Sequence, residues 1–266
     1  MKTPIALLVL SSVLLCHTAT GKEQSQRELI IGISFSIPPY VIAEENSGLE
    51  LEILRQSFAI KGYTVLPSYL PLARTFMSFE EGSLDGVLNV KPGMVKGHYS
   101  DVVITFRNQA VSLKDRELSI NRLEDLSQIS VVAFQKATVI LGHGFASAVQ
   151  YNSDYNEVAD QSLQVKQLFR HRTDVIILEK RIFLYFRRWL YDRANTLGGD
   201  YIVKQKDLLR PVIYHDIFPP SEYRFAFLSQ QVRDDFNEGL QVIRDNGTYD
   251  RILKKYEEDL ELPAGD

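Results

Sequence analysis

The chain has 266 residues, 45% hydrophobic and 24% charged, with 15 glycines and 10 prolines, which excludes a disordered, collagenous or low-complexity polypeptide. Its 30 Lys and Arg against 34 Asp and Glu give a net charge of −4, which argues against a protein built to coat nucleic acid. One cysteine excludes an intramolecular disulfide framework, and a chain of this length can bury a sufficient core without one.

Residues 1–21 read as a secretory signal peptide: a charge at Lys2, an apolar stretch over 5–16, then small residues with cleavage after Ala19 or Gly21. As a helix that stretch spans about 18 Å, short of the roughly 30 Å hydrocarbon core of a bilayer. Lipid attachment at Cys16 is the alternative, but the bulky Leu15 precedes it. No later stretch approaches 18 apolar residues, so the mature chain is expected to be exported rather than embedded.

The mature chain opens with an apolar strand over 28–34 that ends in the Pro38-Pro39 loop. Leu49, Ile53, Leu54 and Phe58 then recur at helical spacing over 48–59, and Lys61-Gly62 stops the helix. A strand over 63–70, a helix over 73–81 and a strand over 84–90 follow. The pattern restarts with a strand over 129–134, a helix over 138–148 and a helix over 163–171. A strand over 174–178, a long helix over 179–193 and two helical stretches over 232–260 complete it. Asn246-Gly247-Thr248, formally a glycosylation sequon, reads as the joint between the last two. Strand–helix alternation with two starts predicts an α/β fold of two lobes. The basic, aromatic stretch 180–191 resembles a nucleic-acid or membrane surface, but Ile182, Phe186, Trp189, Leu190 and Arg193 recur at helical spacing. That predicts a buried face with a solvated basic edge.

The tail over 240–256, Leu-Gln-Val-Ile-Arg-Asp-Asn-Gly-Thr-Tyr-Asp-Arg-Ile-Leu-Lys-Lys-Tyr, resembles the closing helices of family 3 extracellular solute-binding proteins. Four further stretches match in order: Pro38-Pro39-Tyr40, Gly48-Leu49-Glu50-Leu51-Glu52-Ile53-Leu54, Glu81-Gly82-Ser83-Leu84-Asp85-Gly86 and His171-Arg172-Thr173-Asp174-Val175. The resemblance implies the two-lobed type II periplasmic binding protein fold, with lobes joined by two crossover strands. It places residues 22–109 and 217–266 in lobe one and 110–216 in lobe two. It also implies a monomer in the periplasm that captures a small polar ligand, an amino acid or related anion-bearing solute, in the cleft. The partner would be the membrane permease of an ABC importer or, alternatively, a membrane sensor. A dehydratase on the same fold is the enzymatic alternative. No cofactor, metal or nucleic acid is expected, and the common hydrolase, zincin, NTPase and redox motifs are absent from the sequence.

Carried over residue by residue, the resemblance nominates eight ligand-binding positions. Lys96 falls where relatives carry a carboxylate-binding arginine, six residues before a Phe-Ser-x-Pro-Tyr segment whose tyrosine position is Phe106. Lysine can hold an anion only as a point charge, and a solvated surface lysine is the other reading. Asn89 and Lys91 fall at polar strand-end positions. Arg74 opens a helix at the end where its charge opposes the dipole, which suggests another purpose. In lobe two, Thr138 matches a Gln-Gly-Thr-Thr turn and is also expected to cap the next helix. Glu179 matches the acidic residue five positions past Asp174 and is the expected ammonium partner. Tyr40 matches an aromatic shelf for the ligand side chain.

Overall fold

The computed structural model describes residues 27–34, 37–194, 203–258 and 260–263, so the expected signal peptide and Cys16 lie outside the described residues. Strand β1 (Arg27–Ile33) turns Leu29, Ile31 and Ile33 inward and pairs in parallel with β2 (Tyr63–Tyr69) and β3 (Gly86–Val90). The connections run through α1 (Leu49–Ala59) and α2 (Leu72–Glu80), the crossover geometry that parallel pairing requires. Short strands β4 (His98–Tyr99) and β5 (Ile104–Phe106) join through β11 (Ser221–Phe227), which is antiparallel to β3, β4 and β5. The sheet order is β2-β1-β3-β11-β4.

A second sheet, in the order β10-β6-β9-β7-β8, combines β6 (Asn108–Leu113), β7 (Val131–Phe134), β8 (Tyr155–Val158), β9 (Val175–Glu179) and β10 (Val212–His215). The chain passes from one sheet to the other between Phe106 and Asn108 and returns between His215 and Ser221. Around it stand α3 (Ala137–Ile140), α4 (His143–Val149), α5 (Gln161–Phe169), α6 (Lys180–Arg193) and α7 (Gln205–Leu208). The helices α8 (Gln230–Asp245) and α9 (Thr248–Glu258) return to α1.

Helix starts follow local chemistry. Asp160 Oδ1 accepts from the Ser162 amide at 2.9 Å to open α5, and Ser229 Oγ accepts from the Val232 amide at 3.4 Å to open α8. The first core gathers Phe58, Phe225, Phe227 and Phe236, with ring centroids 5.3–5.5 Å apart. At its centre α8 meets α1 at Gly239, where an added Cβ would stand 2.0 Å from the Ser57 carbonyl oxygen. On α6, Ile182, Phe183 and Leu190 are buried while Phe186 and Trp189 pack half-buried, so its aromatic stretch is the core face expected of it. No helix among the described residues is long and apolar enough to cross a membrane.

Two expected elements differ, and four strands have no expected counterpart. The helix expected over 138–148 is two, because Gly142 adopts φ 88° and opens α4 afresh. Strand β3 starts at Gly86 rather than 84, since the chain is still turning after Gly82 at φ 79°. The antiparallel strands β5, β6, β10 and β11 were not expected, and their mixed polarity gives little warning of them.

Candidate functional site

The Pro38-Pro39 turn leads into α1, and its carbonyls serve the helix start. The Leu49 amide donates to the Pro39 carbonyl at 3.0 Å and the Glu50 amide to the Tyr40 carbonyl at 2.9 Å. These bonds satisfy N–H groups that the first helical turn leaves open. They also fix Tyr40, which is completely buried, against β5. Its ring stacks on Phe106 with centroids 4.3 Å apart, and Phe106 lies 4.8 Å from Tyr223. Lys91 Nζ sits 5.0 Å from the centre of the Tyr223 ring and 3.5 Å from Ser221 Oγ. A strip of three aromatics ending in a cation therefore runs along the point where the chain passes between sheets.

Glu179 closes this strip from the second sheet. It pairs with Asn108 in the β6–β9 ladder and is 2% exposed. Its carboxylate accepts from the Arg181 amide at 2.7 Å and the Ile182 amide at 3.2 Å, and Arg181 Nη1 lies 4.0 Å away. Arg181 in turn donates to Glu257 of α9 at 2.6 and 3.0 Å. The Tyr40 hydroxyl faces Glu179 and Arg181 but makes no hydrogen bond of good geometry. Burial, and then the Glu179 charge, hold that phenol well above its ordinary range. Burial likewise raises the Glu179 carboxyl, against the opposing pull of Arg181.

Five of the eight nominated residues, Tyr40, Asn89, Lys91, Phe106 and Glu179, therefore surround one junction. Asn89 sits in the left-handed region at φ 56° and shares a small cavity with Tyr40. Arg74 and Lys96 are exposed, on α2 and in the bend after β3, and make no hydrogen bond or ion pair among the described residues. Thr138 differs from expectation. It lies inside α3, whose cap position is Lys136, and its amide and hydroxyl both donate to Glu157 of β8 at 3.1 Å. Glu157 also accepts from the Lys136 amide and the Tyr155 hydroxyl, so this acidic side chain already satisfies the donors of the turn. Glu179, expected in the first turn of its helix, is instead the N-cap of α6.

Sequence reasoning missed Glu50. It is wholly buried, both carboxylate oxygens lack partners, and burial pushes its pKa up to about 8. The signal was present: Glu50 shares the helical stripe of Ile53, Leu54, Ser57 and Phe58, the buried face of α1. Among the described residues no group of three or more His, Cys, Asp and Glu is placed to hold a metal ion.

No family model matches the chain. It is 23% identical over 274 residues to the arginine-binding extracellular protein ArtP of Bacillus subtilis, across 96% of this chain and 98% of that one. Its fold matches a histidine kinase sensor domain with similarity to periplasmic binding proteins (TM-score 0.63, 17% identity, 87% of this chain and 96% of that one). It also matches an ancestral arginine-binding protein bound to arginine (TM-score 0.61, 17% identity, 87% and 98%). The chain has the two-lobed type II periplasmic binding protein fold.

Proposed function

We propose that this chain is an exported solute-binding protein that closes two lobes over an amino acid or related small polar solute and delivers it to an ABC importer. The observation that carries this reading is the strip of buried Tyr40 and Phe106 and half-buried Tyr223, flanked by Asn89, Lys91 and Glu179, at the crossover between the two sheets. Ligands of open α/β sheets bind outside the carboxyl ends of the strands, and β1, β3 and β9 all end here. Aromatic faces suit the body of such a solute and Lys91 its carboxylate. Lys91 takes that role in preference to Lys96, because it already lies on the strip.

Among the described residues, sheet membership supports two lobes that divide between Phe106 and Asn108 and again between His215 and Ser221, within a few residues of the expected division into 22–109 with 217–266 and 110–216. Hinge closure would shift the population toward a state the membrane partner recognises. The same closure would serve a membrane sensor in place of a permease, and the sensor-domain neighbour supports that second reading. Placement outside the cytoplasm, in a periplasm where one exists, agrees with the signal peptide read from residues 1–21. We read the chain as a binder rather than a dehydratase, so solutes that bind should be recovered unchanged by mass spectrometry.

A thermal-shift screen across amino acids, polyamines, organic acids and sugars tests the proposal. A cognate solute at 100 times its Kd stabilises the fold by about 2.7 kcal/mol, a readily visible rise in Tm. A screen in which amino acids leave Tm unmoved while a sugar raises it would overturn the ligand class.

A further inference from the structure

After α9 the chain runs onto α6. Leu260 is buried there, and Arg188 Nη1 donates to the Glu261 carbonyl at 2.6 Å. Between this closing segment and the helices α6 and α7 lies an open cavity of about 350 Å³, within the size range of small-molecule sites. Leu184 of α6 and Leu209, which caps α7, line it together with Leu260, Leu262 and Pro263 of the closing segment, so its walls are mainly apolar. None of its lining residues belongs to the strip of Tyr40, Phe106 and Tyr223.

One cation, the half-buried Arg187, lines this cavity. Its Nε donates to the Leu208 carbonyl at 2.7 Å and its Nη2 to the Arg210 carbonyl at 3.0 Å. Its guanidinium also lies 5.4 and 5.9 Å from the ring centres of Phe169 and Phe183. Carbonyls and rings fix its position, but none of them is an anion. Among the described residues Arg187 forms no ion pair, whereas Arg181 and Arg188 of the same helix pair with Glu257 and Asp192. Burial pulls its pKa down, and Tyr214, the ionisable neighbour that opposes this, is itself kept neutral by burial at a pKa of about 12. Three of its five N–H donors remain unused. Glu261 stands exposed at the same cavity and forms no ion pair with it.

A partly desolvated cation without a counter-charge is unfavourable, and an anion that reaches it relieves the penalty. A guanidinium with donors to spare matches a carboxylate at two points, and leucine walls match a short apolar body. We infer that Arg187 and the leucines around it form a second binding site, outside the cleft, for a small monocarboxylate with a compact apolar tail. An inorganic anion would leave the apolar walls uncovered, and a neutral or cationic amphiphile would leave Arg187 without a counter-charge. The occupant would touch α6 and the segment after α9 at once, and so rest on parts of both lobes.

Calorimetric titration of hexanoate, 1-hexanol and hexylamine into the full protein tests this site. Hexanoate should bind about tenfold more tightly than 1-hexanol, which has the same chain, and hexylamine should give no heat. Arg187→Met should bring hexanoate down to the level of 1-hexanol. Leu262→Trp fills the cavity while keeping Arg187 and its carbonyls, and should abolish binding of both, so the test holds even where loss of the guanidinium unfolds the protein. Lys91→Ala, on the aromatic strip, should leave hexanoate affinity unchanged. Equal binding of hexanoate and 1-hexanol, or undiminished hexanoate binding by Leu262→Trp, would refute the site. Loss of hexanoate binding in Lys91→Ala would also overturn it, by placing the carboxylate in the cleft, as would the absence of any heat from millimolar hexanoate.

Discussion

Glu50→Gln stabilises the protein at neutral pH, by about 3 kcal/mol at pH 7. The carboxyl titrates near 4.5 when exposed and near 8 when folded, because burial disfavours its charged form. Between those values the folded chain keeps a proton that the unfolded chain has lost. Stability is therefore full below pH 4.5 and falls as pH rises, by about 1.4 kcal/mol per unit, until it levels near pH 8. Glutamine fills the same volume and cannot ionise. The gap between the two proteins should widen from about 1 kcal/mol at pH 5 to about 4–5 kcal/mol at pH 8.5. Urea denaturation at pH 5, 7 and 8.5 reads this directly, and parallel stability profiles would show that Glu50 is solvated or paired. The slope is the cleaner quantity, because an amide in the same cavity brings a desolvation cost of its own.

Gly48→Ala has the opposite sign. Gly48 sits at φ 126° and ψ 156°, a conformation essentially reserved for glycine. A Cβ there would stand 2.4 Å from the Tyr40 carbonyl oxygen, which accepts the Glu50 amide. Backbone strain of about 1–3 kcal/mol adds to a clash with main chain that no rotamer relieves. The variant should lose about 3–5 kcal/mol, and its Tyr40 shelf should shift along with α1. Chemical denaturation gives the first number. A loss below about 1 kcal/mol would mean that the loop relaxes freely and does not rigidly position Tyr40.

Much of the fold was readable because its parallel half follows local rules. The apolar run of β1, the stripe of α1 and the stop at Lys61-Gly62 are all short-range signals, and the structure keeps their order. The antiparallel strands were hidden because their pairing is distant: β11 meets β3 across more than a hundred residues, and β10 meets β6 in the same way. The site divided along the same line. Tyr40, Phe106 and Glu179 were nominated by the family resemblance, and the structure brings them together from a turn and two strand ends. Thr138 departs because Glu157, on another strand, reaches its turn, a contact no local pattern announces. Lys96 matched a family position by counting alone, and the bend after β3 leaves it exposed. Glu50 was legible as a carboxylate on an apolar stripe, but only the packed structure shows that its oxygens are without partners.

The central claim is capture of a solute between two moving lobes, and small-angle X-ray scattering tests it most directly. With a saturating amount of a solute that raises Tm, the radius of gyration of the full protein should fall as the lobes close. An unchanged radius with that same solute bound would contradict capture between the lobes and place the solute elsewhere on the surface.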